Sequence, residues 1–75
     1  MRIRRQQVVA RLREAGWHYQ DATKRVELYR RTGSTDRIVV PKRDSFEESL
    51  VRLVLRQGGL TPQQIEQFLR QAIKD

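Results

Sequence analysis

The sequence has no cysteine and one histidine, His18. Without thiols it can form neither disulfides nor a thiolate metal site, and a single imidazole does not make a structural zinc centre. No glycine-rich phosphate loop, metal-ligand cluster or nucleophilic triad is visible, so no cofactor or metal is expected. No apolar run approaches the ~20 residues that span a bilayer. The stretch Met1 to Gln7 is basic but leads into charged residues and not an apolar core, which argues against a signal peptide. The lack of a spanning run and of a signal peptide gives the expectation of a cytoplasmic protein with no membrane association, while the lack of cysteine leaves the redox compartment open. No repeat, linker or low-complexity segment divides the chain, so residues 1–75 are read as one domain. A chain this short buries only roughly 60% of the surface its unfolded form exposes. Its stability must therefore come from one modest core, with homo-oligomer formation as the available supplement.

Positive charge is abundant. Sixteen Lys and Arg face nine Asp and Glu, a net charge of +7. Only Lys24, Lys42 and Lys74 are lysines, which leaves 16 − 3 = 13 arginines. The planar guanidinium fork suits bidentate phosphate contacts and stacking on bases better than an ammonium does. A partner rich in phosphate is the reading this balance favours, and RNA is the expected one.

From about Arg4 to Ala15 the apolar residues Val8, Val9, Leu12 and Ala15 recur at spacings of three and four, the pattern of an amphipathic helix ended by Gly16. The period then changes to two. Trp17 and Tyr19 alternate with His18 and Gln20, and Val26 and Leu28 alternate with Arg25 and Glu27. If Ala22 and Thr23 form a two-residue loop, Tyr19 lies opposite Val26 and Trp17 opposite Leu28, with all four on one buried face. His18 would then face Glu27 on the other side. A turn at Thr32 to Thr35 leads into Arg37-Ile38-Val39-Val40, a third strand that ends at Pro41. Its register is open: an odd loop length puts Ile38 and Val40 on the face of Leu28, an even one Val39.

Ser45-Phe46-Glu47-Glu48 has the form of a capping box, which predicts a helix from there to about Gln57. Its apolar set, Leu50, Val51, Leu53, Val54 and Leu55, runs nearly all round, marking it as the most buried element. Gly58-Gly59 stops it. Thr61-Pro62-Gln63-Gln64 repeats the start signal with Thr61 as N-cap and Pro62 at the first helical position. The last helix carries the stripe Ile65, Phe68, Leu69, Ala72 and Ile73. The fold class is thus α+β, in the order αβββαα, a three-stranded antiparallel sheet with helices packed on one face and the other face free.

This order and several strings in it resemble the HicA-like toxin family, small messenger-RNA-cleaving toxins whose fold resembles the double-stranded-RNA-binding domain. The resemblance rests on Leu12 to Trp17 (LREAGW), the hairpin ending in Leu28-Tyr29-Arg30, the strand Arg37 to Pro41, and Leu53 to Phe68 (LVLRQGGLTPQQIEQF). It spans nearly the whole chain. It implies a toxin–antitoxin protein that binds RNA, with an acidic HicB-like antitoxin as partner. The family carries a Gly-Ser-His type string at the start of the second strand, and the matching residues here are Ala22-Thr23-Lys24-Arg25-Val26. RNA cleavage by 2′-hydroxyl attack needs a group that exchanges protons near neutral pH, the task histidine suits best. Its loss implies weak or no mRNA-cleaving activity.

The expected RNA contacts are Lys24, Arg25, Arg30, Arg31 and Arg37 on the hairpins, with Lys42 and Arg43 just beyond the sheet. Tyr29, out of phase with Val26 and Leu28, is the expected stacking residue. Trp17, Tyr19, Phe46 and Phe68 fall at core positions instead. His18 is the one candidate for a displaced catalytic base, if Glu27 orients it. A second basic group, Arg2, Arg4, Arg5, Arg11 and Arg13, would add nonspecific affinity, with Arg2 and Arg5 mobile near the terminus.

Overall fold

The computed structural model describes residues 2–74, the side chains of Ile73 and Lys74 excepted. Ile73, expected in the stripe of the last helix, therefore lies outside the described side chains. The chain order is β1 (Arg2–Arg4), α1 (Arg5–Glu14), β2 (Trp17–Ala22), β3 (Val26–Arg31), β4 (Arg37–Pro41), β5 (Ser45–Glu47), α2 (Glu48–Gln57) and α3 (Pro62–Lys74). The α+β class stands, with β2-β3-β4 forming the expected three-stranded antiparallel sheet.

Two short strands come in addition. β1 pairs antiparallel with β5, Ile3 opposite Phe46, as a separate ribbon. Both of those side chains are buried while Arg2 and Arg4 on either side are exposed, a strand alternation compressed into three residues. Residues 2–5 are thus held by backbone pairing, against the expectation that Arg2 and Arg5 are mobile. Arg2 lies within the ribbon, and the Arg5 N–H donates to the Asp44 carbonyl at 2.9 Å.

The two start signals have opposite fates. At Thr61 the box closes both ways, the Gln64 N–H donating to Thr61 Oγ1 at 3.2 Å and the Thr61 N–H to Gln64 Oε1 at 2.9 Å. At Ser45 no box forms, because Ser45 to Glu47 is strand and α2 starts only at Glu48, with no side-chain cap. Local capping loses there to the ladder with β1 and the burial of Phe46. We expect Thr61→Ala to cost about 1 kcal/mol of stability, the usual value of an N-cap, and Ser45→Ala to leave it almost unchanged. Denaturant midpoints of the two variants check this; equal losses would contradict it.

Helix α2 buries Val51, Val54 and Leu55. Leu53 is 52% exposed, so the helix has one apolar stripe and is not apolar all round as its composition suggested. Its carboxyl end is a complete left-handed cap: the Gly59 N–H donates to the Arg56 carbonyl, and the N–H of buried Leu60 to the Leu55 carbonyl. Arg52 joins α2 to α3, donating to Glu48 one turn before it and to Glu66 on α3. Glu66 is held below the usual carboxylate range, chiefly by the Arg52 hydrogen bond.

The core lies between the helices and one face of the main sheet, and includes Trp17, Tyr29, Ile38 and Val40 from that sheet. Trp17 is pinned at its polar end, its Nε1–H donating to the Gly58 carbonyl at 2.9 Å within the core.

Here the expected register fails. Tyr19 lies opposite Tyr29, not Val26, and His18 opposite Arg30, not Glu27. The tight turn is Thr23 to Val26, with the Thr23 N–H donating to the Val26 carbonyl at 2.9 Å and Thr23 Oγ1 accepting from the Val26 N–H at 3.2 Å. A bulge lies between Tyr19 and Asp21. Opposite Tyr19 the slip from Val26 to Tyr29 is three residues, an odd number, so β3 turns over. Glu27, Tyr29 and Arg31 face the helices; Val26, Leu28 and Arg30 face away. In β4, Val39 pairs with Leu28 and shares its outward face, while Ile38 and Val40 are buried with Tyr29.

Candidate nucleic-acid interface

Every outward residue of the main sheet is exposed or only partly buried, since the helices pack on the opposite face. The outward residues form three rows across the strands. At one end His18, Arg30 and Arg37 lie side by side, a row spanning about 10 Å at the usual strand spacing. In the middle Leu28 sits between Asp21 and Val39, and Val39 is 47% exposed. At the other end Val26 pairs with Pro41. Lys24 and Arg25 form the tip of the turn beyond it, and the Lys42 N–H donates to the Arg25 carbonyl at 2.8 Å, which brings Lys42 and Arg43 to the same end.

The fold therefore places Arg30 and Arg37 on the open face, whose centre is apolar, and brings four more of the expected RNA contacts, Lys24, Arg25, Lys42 and Arg43, together in the turns at the opposite end of the sheet. All six are exposed. The ion pairs among the described residues involve Arg5, Arg11 and Arg52, and none of these six. Asp21, the acidic side chain on this face, accepts a hydrogen bond from the Ala22 N–H through its Oδ1. None of the six is thus neutralised by a described ion pair, a condition that favours attraction of phosphate.

Two expected contacts are placed elsewhere. Arg31 faces the helices, its guanidinium 4.9 Å from the Trp17 ring centroid in a cation–π contact. Tyr29, expected to stack on a base, is corrected: it is only 2% exposed, and its hydroxyl donates to Glu27 Oε1 at 2.9 Å. The cause is the inverted register of β3, which also removes the proposed orienter of His18. His18 stands beside Arg30, so no carboxylate faces it across the strand pair. Of the second basic group, Arg5 pairs with Glu27 and Arg11 with Glu14 at 3.7 Å.

Sequence reasoning missed the exposed Val39 at the centre of the face and put Tyr19 in the core, although Tyr19 is 51% exposed. Val39 had a signal in the β4 alternation once the loop parity was known. Tyr19 had none, because its exposure follows from lying on an edge strand, at a cleft that α1 lines without filling.

No helix among the described residues is long and apolar enough to cross a membrane. No protein-family model matches the chain, and no curated protein sequence matches it.

Proposed function

We propose that this protein binds RNA through the open face of its three-stranded sheet, as a HicA-like protein of a toxin–antitoxin pair with weak or no mRNA-cleaving activity. The observation that carries the reading is that six exposed cations lie outside every ion pair described, Arg30 and Arg37 on the open sheet face and Lys24, Arg25, Lys42 and Arg43 in the turns at its end. Phosphate contacts of this kind release counterions and supply most sequence-independent affinity. The resemblance in chain order and strings supports the toxin assignment, and the lack of a carboxylate opposite His18 supports weak or absent cleavage. An acidic HicB-like antitoxin would be complementary to the same face.

The test is retention and cleavage of a labelled RNA by the purified protein and its His18→Ala variant at two salt concentrations. The expected result is retention that falls steeply with salt, no cleavage, and little difference between the two proteins. Cleavage abolished in the variant would make His18 a catalytic base after all. Absence of retention at low salt would overturn the RNA reading.

A second reading, a self-assembly module, is favoured by one feature: Val39 and Leu28 put apolar surface at the centre of the face. Such an interface would give concentration-dependent dimers that resist salt.

A further inference from the structure

The main sheet does not end at its basic face. β2 is an edge strand, and Tyr19 follows His18 directly while pointing to the other side. There it helps line a cleft of about 290 Å³ between α1 and the sheet, together with Gln6, Arg13, Glu27 and Tyr29. The cleft has three properties that a flat solvated surface lacks.

First, the Tyr19 ring is both exposed and held. It stands edge-on to the buried Tyr29 ring, the planes at 83° and the centroids 6.2 Å apart, which leaves ring surface accessible. Second, Glu27 is held in place by Tyr29 and Arg5, which line the same cleft. Its Oε1 accepts from the Tyr29 hydroxyl and is paired with the Arg5 guanidinium, whereas Oε2 enters none of the described hydrogen bonds or ion pairs. Third, Arg13 lies at the cleft outside every ion pair described. An aromatic platform, a fixed carboxylate oxygen and a free guanidinium are complementary to a nucleobase and its phosphate.

We infer that this cleft holds one guanine base of a single-stranded RNA, stacked on Tyr19 with its donor edge at Glu27 Oε2, an inference that rests on the RNA-binding reading above. A carboxylate oxygen only accepts hydrogen bonds. Guanine presents N1–H and N2–H donors side by side, whereas adenine, cytosine and uracil each place an acceptor beside their donor and would set it against the carboxylate. The route to the cleft is short. Phosphates on the row Arg37, Arg30 and His18 arrive at the β2 edge, and Tyr19 is the next residue along that edge strand.

The experiment compares eight-nucleotide RNAs, all uridine or with one central guanosine or adenosine, by fluorescence anisotropy on the full chain. The wild type is expected to prefer the guanosine strand by about tenfold. Tyr19→Ala should lose about tenfold in affinity for it, and Tyr19→Phe should bind like the wild type. Glu27→Gln, which keeps the shape and can still accept from the Tyr29 hydroxyl and Arg5, should bind the guanosine and adenosine strands equally. Circular dichroism and thermal melts of each variant separate lost recognition from lost fold. Equal wild-type binding of all three strands, with Tyr19→Ala unaffected, would overturn the inference and leave the RNA-binding face standing. No binding of any strand by the folded wild type would overturn both.

Discussion

Arg30→Glu combined with Arg37→Glu is expected to weaken RNA binding more than any other surface change, and to flatten its dependence on salt. The two arginines are neighbours across β3 and β4, exposed, outside every ion pair described, and next to His18. If the six exposed cations each engage one phosphate, the wild type should lose on the order of several hundredfold in affinity for single-stranded RNA between 50 and 200 mM salt. Removing two contacts lowers the logarithmic salt slope by about 1.4, at roughly 0.7 per contact. The repulsion introduced by the glutamates adds to that loss, uniformly across RNA sequences. The matched control is Arg52→Ala on the helical side, where Arg52 bridges Glu48 and Glu66. Its salt slope should equal that of the wild type. A double reversal whose slope is also unchanged would show that the phosphates lie elsewhere.

Gly58→Ala is expected to destabilise the fold through packing alone. A Cβ at Gly58 would lie 2.8 Å from Leu12 Cδ2, 3.3 Å from the Leu55 carbonyl oxygen and 3.4 Å from Ile38 Cδ1. The backbone is not the obstacle, since Gly58 has ordinary right-handed helical angles; the obstacle is packing. α2 ends there against α1 and β4, and the Gly58 carbonyl accepts the Trp17 Nε1–H, so the residue cannot retreat without breaking that bond. Overpacking of this kind costs about 1–3 kcal/mol. In a domain this small each kcal/mol lowers Tm by roughly 4–8 °C. Leu12→Val removes the clashing methyl carbon. The double variant should therefore be more stable than the two single losses added together, a coupling read from a double-mutant cycle. Strict additivity would mean that Leu12 is not what the new methyl meets.

Several elements could be read from the residues because their signals are local. Gly16 takes a φ of 96°, available at little cost only to glycine, and ends α1 where the apolar spacing stops. The Thr61 box closes with the residues its spacing names. Short-range hydrogen bonds of this kind need no partner from elsewhere in the chain.

The failures share the opposite character. Ser45 carries the same cap signal as Thr61, yet Ser45 to Glu47 pair with residues some forty positions away, and that long-range pairing outweighs a local cap. The β2–β3 register depends on a turn at Lys24-Arg25 and a bulge after Tyr19, neither marked by glycine or asparagine. Because strand side chains alternate, this odd slip moved Tyr29 from the expected surface to the core and Leu28 from the core to the outward face, where it is partly buried. The basic candidates survived better: Lys24, Arg25, Lys42 and Arg43 sit at chain turns, where no face has to be chosen, although Arg30 and Arg31 were divided by the same alternation.

The sequence by itself determined the α+β class, the helix ends at Gly16 and Thr61 and the excess of arginine, since composition and short-range hydrogen bonding are complete without tertiary partners. Only the tertiary structure decided which side of the sheet each strand residue faces, that residues 2–4 pair with residues 45–47, and that Arg30 and Arg37 share the open face while Tyr19, Glu27 and Arg13 line a cleft on the other side. The physical reason is that a strand has two equivalent faces until a register is chosen, and register is settled by burial and pairing across the whole fold.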